Sequence, residues 1–353
     1  MKSSKDPSER PVQQLVPQPV PQPVRQPARQ SVQHCAPHPA PYTRATPPLR
    51  TPPLRFGYGT NGLTDLRLYD ALALLADLGY DGVGLTLDHM HLDPLSSELH
   101  SLTAKLAERL DRLDLTVTVE TGARYVLDPR RKHGPSLLDP DPAGRSARAD
   151  LLRTAVRVGA ELGAHAVHCF SGTVPAGTPP DAAWQRLAAA MAPVVEAATA
   201  ARVPLAVEPE PGHLLATLAD FHRLRRALGD PQHLGLTLDI GHCQCLEEAS
   251  PADCIREAAP WLRHVQIEDM RRGVHEHLPF GEGEIDFPPV LAALAATGYQ
   301  GLTVVELPRH SHAGPELARS SRKFLCEATA GLGRAASRST QQPRTTPPAK
   351  GTL

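Results

Sequence analysis

From residue 56 to residue 330, short runs rich in Val, Leu and Ile alternate with longer segments that have the apolar spacing of an amphipathic helix. The strand-like runs are Phe56–Thr60, Gly82–Leu87, Leu115–Glu120, Ala164–Phe170, Val203–Glu208, Leu234–Ile240, His264–Glu268 and Gly301–Leu307. The helical segments lie near 64–78, 97–113, 146–162, 180–201, 214–228, 251–259, 287–297 and 315–329. Eight strand–helix units in strict order predict an α/β protein with a parallel sheet, and eight units close a (β/α)8 TIM barrel. The alternative is an open doubly wound sheet, but Gly57–Gly62 lacks the G-x-G-x-x-G spacing that is typical of one.

The segments on either side of this region have a different composition. Residues 1–55 hold 14 of the 37 prolines, with Gln and Arg between them and almost no periodic apolar pattern. Such a stretch buries too little apolar surface to offset its chain entropy, so we predict a disordered Pro/Gln-rich tail. Residues 331–353 are basic and contain no acidic residue, which predicts a second disordered tail. The predicted catalytic domain is therefore 56–330, close to the usual ~250 residues of a TIM barrel.

Charge and cysteine content restrict the class of protein. The two tails carry net charges of +6 and +4, so the −1 of the whole chain leaves −11 on residues 56–330. An acidic domain argues against a protein that grips many phosphates of a nucleic acid. The six cysteines form no C-x-x-C pair, the start of the chain lacks a secretory signal, and no apolar run reaches the ~18 residues of a membrane span. We predict a cytoplasmic protein without a nucleic-acid or membrane partner, and homo-oligomerisation is left open.

Polar residues stand at the carboxyl ends of four consecutive predicted strands, where the active sites of TIM barrels lie. They are Glu208, Asp239, Gln266 and Glu306. Converging carboxylates repel each other and are costly to desolvate unless a cation lies between them. Carboxylate and amide oxygens favour Mg²⁺ or Mn²⁺ over the ions of thiolate and imidazole sites. The pattern predicts one divalent ion, most consistent with Mn or Mg and with Co or Zn as alternatives.

The predicted strands carry a fixed order of motifs: a Glu at strand 5, Asp-x-Gly-His at strand 6, His-x-Gln-x-x-Asp at strand 7, Gly-Glu-Gly after it and a Glu at strand 8. This order resembles that of the xylose isomerase-like TIM-barrel superfamily, which includes sugar and sugar-phosphate isomerases and epimerases. The resemblance covers most of 56–330 and leaves out both tails. Its motifs are specific for the superfamily and carry little information about the substrate.

The resemblance implies roles for individual residues. Glu208, Asp239 and Glu306 match metal ligands, and the two glutamates also match the acid/base pair of the epimerases. Gln266 stands where most members have a metal-binding His. His242 and Arg272 match residues that contact the substrate in the epimerases.

These roles predict an isomerase or epimerase of a small sugar, polyol or sugar phosphate. Such an enzyme removes a proton next to a carbonyl and stabilises the resulting enediolate. The basic loop 124–133 follows strand 3, and its Arg124 and Lys132 are candidate ligands for an anionic group of the substrate. His277 is a further candidate substrate-binding residue, and a solvated loop with scattered ion pairs is the alternative for 124–133.

Three other functions stay open. Dehydroshikimate dehydratases are similar to this sequence in placing Gln at position 266, so a lyase that acts on a cyclic keto-acid is one. A zinc phosphodiesterase of the endonuclease-IV type is another, because His242, His275 and His277 stand where such enzymes have further zinc ligands. A non-catalytic metabolite-binding barrel is the third.

Overall fold

The computed structural model describes residues 53–339, and of 333–339 it describes the backbone alone. Eight parallel strands close into a barrel in the order β1-β10-β7-β6-β5-β4-β3-β2, as predicted. The strands are β1 (Arg55–Gly59), β2 (Gly82–Thr86), β3 (Thr116–Glu120), β4 (Val167–Phe170), β5 (Leu205–Glu208), β6 (Leu234–Asp239), β7 (Leu262–Ile267) and β10 (Leu302–Val305). The TIM barrel prediction is therefore confirmed.

Helices surround the barrel at the places that the apolar spacing predicts. They are α1 (Leu68–Asp77), α2 (Leu99–Leu113), α3 (Pro142–Glu161), α4 (Pro180–Ala201), α5 (Leu218–Ala227), α7 (Pro251–Ala258), α8 (Phe287–Thr297) and α9 (Gly314–Ser339). Local signals set their starts: the Asp141 side chain accepts a hydrogen bond from the Ala143 N–H ahead of α3, and Thr217 and Asp220 form a capping box on α5. None of the helices within 53–339 is both long and apolar enough to cross a bilayer.

Two elements at the mouth of the barrel depart from the simple alternation. The short helix α6 (Ile240–Leu246) begins directly after β6, because the Asp239 side chain accepts the His242 N–H at 2.8 Å and so caps it. Strand β7 is followed by an antiparallel hairpin of β8 (Asp269–Arg271) and β9 (Val274–Leu278). Both elements are too short for a periodic pattern to reveal them, and both bring side chains over the barrel opening.

The ends of the folded region differ slightly from the predicted boundaries. Strand β1 begins at Arg55, and helix α9 continues past residue 330 to Ser339. Leu332 packs against the core one turn beyond Ala328, and this contact favours the continuation of the helix past residue 330. The two predicted tails otherwise fall on residues 1–52 and 340–353, which lie outside the described part of the chain.

Candidate active site

A cavity of about 830 Å³ opens at the carboxyl ends of the barrel strands. Its size is that of a pocket for a small molecule. Glu208 and Glu306 contribute to its lining, and Arg124, Lys132 and Arg309 line it from the loops that follow β3 and β10. The cavity therefore combines acidic and basic groups at the end of the barrel where TIM-barrel chemistry takes place.

Three of the four predicted metal ligands meet here. Glu208 ends β5, Asp239 ends β6, and Glu306 follows β10. One ligand oxygen from each of these three carboxylates lies within 4.8 Å of the other two. Strand order explains the convergence, because β5, β6, β7 and β10 are consecutive around the barrel.

Gln266 completes the row from β7. It is in register with Asp239 on one side and with Val304 on the other, and its side chain is buried. Its Oε1 atom accepts no hydrogen bond from the described residues. A buried polar atom without a partner is costly, and an amide oxygen from the residue in register with Asp239 suits a hard divalent cation. The residues present therefore fit the predicted ion.

The two glutamates have different electrostatic environments. Burial alone would raise the pKa of Glu208, but His168 and His242 hold it well below its usual range. His168 Nε2 lies 2.6 Å from Glu208 Oε2, and His242 Nδ1 lies 3.3 Å from Glu208 Oε1. The pKa of Glu306 is raised well above its usual range by burial and by the nearby carboxylates of Glu120 and Glu208.

Glu306 has one neutral partner that fixes its position. Asn61 Nδ2 donates a hydrogen bond to Glu306 Oε1 at 2.8 Å. An amide donor orients a carboxylate without adding charge, so the second oxygen of Glu306 stays available to a cation or a substrate.

The glycines of the two sequence motifs have a steric role. A Cβ atom on Gly241 would clash with the Glu268 carboxylate, which packs under α6. A Cβ atom on Gly283 would clash with Asp269, whose two oxygens accept the Gly281 N–H at 2.9 Å and the Ile285 N–H at 3.1 Å. Asp269 therefore organises the Gly-Glu-Gly loop, which explains why these residues occur together.

Glu268 is the most deeply buried acid of the site. Burial, and then the carboxylates of Asp239 and Glu306, raise its pKa well above the usual range. His277 Nδ1 lies 3.6 Å from Glu268 Oε1. Without a cation nearby, the site therefore favours the protonated forms of Glu268 and Glu306.

Three histidines form a second cluster between α6, which carries His242, and β9, which carries His275 and His277. His242 Nε2 lies 3.1 Å from His275 Nε2, and one ring nitrogen from each of His242, His275 and His277 lies within 4.8 Å of the others. Burial lowers the pKa of His277 to about 3 and that of His275 to about 4, so both are neutral at pH 7. Burial opposes the charged form of His242 as well, but Asp239 and Glu210 raise its pKa well above the usual value.

Only some of the predicted substrate-binding residues line the cavity. Arg124, Lys132 and His277 line the cavity. His242 is buried between Glu208 and His275. Arg272 is not among the lining residues: it is exposed in the turn between β8 and β9, where its guanidinium donates to the Glu247 carbonyl oxygen. The hairpin thus carries Arg272 away from the cavity, and the geometry gives no support to its predicted substrate contact.

Sequence reasoning assigned no role to several residues of the site. His168 and Asn61 bind the two glutamates, and Glu210 lines the cavity with its pKa raised to about 7 by burial. His168 is a polar residue near the carboxyl end of the predicted strand Ala164–Phe170, which is a signal that could have identified it. Asn61 lies in a short turn after β1, and no sequence pattern distinguishes it.

Relatives with assigned activities are similar to most of this barrel. An L-ribulose-5-phosphate 3-epimerase of Shigella flexneri is 25% identical over 258 residues, covering 67% of this chain and 81% of the relative. The enzyme of the same name from Escherichia coli K12 is 26% identical over 249 residues with the same coverage.

Solved structures superpose on the barrel as well. An L-ribulose 3-epimerase is 25% identical with a TM-score of 0.66, covering 83% of this chain and 100% of that one. A D-tagatose 3-epimerase-like protein, 21% identical, has a TM-score of 0.66 with coverages of 80% and 100%, and it shows the likeness of fold. The family model described as xylose isomerase-like TIM barrel matches residues 72–328. The chain therefore belongs to the xylose isomerase-like TIM barrel family.

Proposed function

We propose that this chain is a divalent-metal-dependent epimerase of a small sugar. The observation that carries the proposal is the convergence of the Glu208, Asp239 and Glu306 carboxylates within 4.8 Å, two of which, Glu208 and Glu306, line the cavity. The names of the relatives, which are sugar 3-epimerases, favour epimerisation over the other reactions that such a site supports. They also divide between phosphorylated and unphosphorylated sugars, so the names alone leave that choice open.

Glu208, Asp239, Gln266 and Glu306 would hold the ion. When bound, a divalent cation supplies positive charge that stabilises negative charge developing on the substrate oxygens. An all-oxygen donor set favours Mg or Mn over Co and Zn.

Glu208 and Glu306 are the acid/base pair of the proposal. They lie at the ends of β5 and β10, three strands apart around the barrel, so a sugar bound between them presents one face to each. Glu208 is kept as a carboxylate by His168, which suits it to take the proton from the carbon beside the carbonyl. Glu306 holds its proton more strongly than Glu208 does, because its pKa is raised, and this suits it to return a proton to the opposite face of the sugar carbon.

Solvent deuterium tests this reaction. We expect the metal-loaded full-length protein, incubated with a panel of ketopentoses and ketohexoses in D2O, to place deuterium at the carbon beside the carbonyl and to form the epimer. Mass spectrometry and NMR of the recovered sugars would detect both. An ultraviolet-absorbing enone or aromatic product from a cyclic keto-acid, without deuterated epimer from any sugar, would indicate the lyase instead.

A second candidate is a multi-zinc phosphodiesterase, and the cluster of His242, His275 and His277 favours it because three imidazoles suit zinc. We expect elemental analysis of the purified full-length chain to give about one divalent ion per chain. Two or three zinc ions per chain, reduced by one in His275→Asn, would support the phosphodiesterase and contradict the one-metal epimerase.

A further inference from the structure

We propose that Arg124, Lys132 and Arg309 form a phosphate subsite at the rim of the cavity, so that the substrate is a sugar phosphate rather than a free sugar. This inference rests on the proposed epimerase function and adds to it the chemical class of the substrate. Arg124 and Lys132 belong to the loop between β3 and α3, and Arg309 belongs to the loop between β10 and α9. All three line the cavity above its acidic floor.

These three cations have no carboxylate partner within 4 Å among the residues whose side chains are described. Lys132 and Arg309 have no hydrogen-bonded side-chain partner there either. The neighbouring Arg131 is different, because it pairs with Asp128 at 2.7 Å and with Asp139 at 2.9 Å. Arg148 is different as well: it is buried and donates to the Pro135 and His133 carbonyl oxygens. The paired arginines therefore support the loop, and the unpaired cations are available to a ligand.

The two loops are joined across the opening, which places the cations on one rim. Arg124 Nη2 donates a hydrogen bond to the Pro308 carbonyl oxygen at 2.8 Å, and Pro308 immediately precedes Arg309. This single contact leaves the other guanidinium donors of Arg124 available, because the group has five N–H donors. The bond thus holds the loop after β3 beside the loop after β10.

His133 lies inside the same positive environment. Burial, followed by the neighbouring cations with Lys132 first, lowers the pKa of His133 to about 4. A neutral imidazole at pH 7 retains one N–H donor and adds no further charge. The rim therefore combines three cations with a neutral polar group.

The charge distribution in the cavity favours a ligand with two different ends. Glu208 and Glu306 line the acidic part of the cavity and have Asp239 within 4.8 Å, and with a divalent cation bound this part suits the carbonyl and hydroxyl oxygens of a sugar. The rim suits an anion. A phosphate monoester carries about −1.5 to −2 charges at pH 7 and three acceptor oxygens, which matches three cations from two loops. A carboxylate needs only one arginine fork, so it would leave two of the cations without a partner.

Binding of inorganic phosphate tests the subsite without requiring turnover. We expect the metal-loaded full-length protein to bind phosphate in calorimetry, and the double variant Lys132→Gln/Arg309→Gln to bind it at least about tenfold more weakly, since each lost charge-assisted hydrogen bond is substantial. The matched control is Lys105→Gln/Arg319→Gln, which neutralises two exposed cations on α2 and α9 and should leave the affinity unchanged. If phosphate binds equally well to both double variants, the inference is overturned, because phosphate bound to the metal alone would give this result. Acetate that binds as tightly as phosphate overturns it in favour of a carboxylate.

Turnover provides a second measurement that separates this inference from the proposed function. We expect kcat/KM for ketopentose 5-phosphates to exceed that for the free ketopentoses by at least about tenfold, and the double rim variant to reduce this ratio while the control variant preserves it. Epimerisation of free sugars at the same efficiency as their phosphates would keep the epimerase and refute the phosphate subsite. Failure to epimerise any sugar would refute the epimerase, and the phosphate affinities would still decide whether the rim binds an anion.

Discussion

Glu306→Gln should abolish epimerisation and at the same time stabilise the metal-free protein. Loss of one acid/base carboxylate that also contacts the ion should reduce kcat by about 10³-fold or more. The effect on stability has the opposite sign. Burial and neighbouring carboxylates raise the pKa of Glu306 above the usual 4.5 of the unfolded chain. The folded state is therefore destabilised as the pH rises from 4.5 through the raised pKa, because Glu306 must then either keep its proton or be buried as an anion. Removing the charge should therefore raise the free energy of unfolding at pH 7.5 by about 1 kcal/mol.

Turnover assays and urea unfolding of the chelator-treated protein would measure the two effects. Glu248→Gln is the matched control, because Glu248 is exposed on the surface, and it should change neither quantity. Retention of more than a tenth of the wild-type kcat by Glu306→Gln would exclude Glu306 from the proton transfer. A metal-free variant less stable than the wild type would show that the repulsion between these carboxylates is already relieved in another way.

Removal of the divalent ion should lower the melting temperature, and the decrease should be larger at pH 8 than at pH 5.5. At pH 5.5 protons on Glu306 and Glu268 partly replace the ion, because the pKa values of both groups are raised. At pH 8 more of these protons are lost, and the repulsion among the carboxylates that the ion offsets is larger. A ligand at 100 times its Kd contributes about 2.7 kcal/mol, which for a barrel of this size corresponds to a shift of roughly 5–10 °C.

Thermal unfolding with and without chelator, at both pH values and with Mn²⁺ returned at the end, would test this expectation. The shift should be smaller in Glu306→Gln, which has lost one ligand. An identical melting temperature with and without the ion at pH 8 would contradict the metal site. A larger shift at pH 5.5 would contradict the assigned direction of these pKa values.

The positions of the barrel elements could be predicted from local sequence patterns. Helices α4 and α8 have the bounds that their apolar spacing predicts, and β3 and β6 end at the acidic residues that mark the mouth. The short elements could not be predicted in this way. Helix α6 has only seven residues and exists because Asp239 caps it, and the hairpin of β8 and β9 depends on Asp269 and the glycines that pack against it.

The residues of the site also differ in this respect: those at strand ends could be predicted, and those in loops could not. The positions of Glu208, Asp239, Gln266 and Glu306 at the barrel mouth were predictable, because the carboxyl end of a buried strand in a barrel has a defined place. Arg272 was assigned from the family resemblance, and the structure gives that assignment no support because Arg272 lies in the hairpin turn, away from the cavity. Arg309 and Asn61 lie in loops, where a position along the chain does not specify a position in space.

The amino-acid sequence alone determined the architecture and the row of acids at the barrel mouth, because strand period, helix period and strand order are local or topological properties. Only the tertiary structure decided which side chains accompany each acid. Pairing of β4 with β5 places His168 beside Glu208, and closure of the barrel between β1 and β10 brings Asn61 beside Glu306. The unpaired cations come from two loops that are distant in sequence and line one cavity. The physical reason is that side-chain contacts across the mouth depend on loop conformation, whereas the strands that carry the acids are fixed by the hydrogen bonds of the sheet.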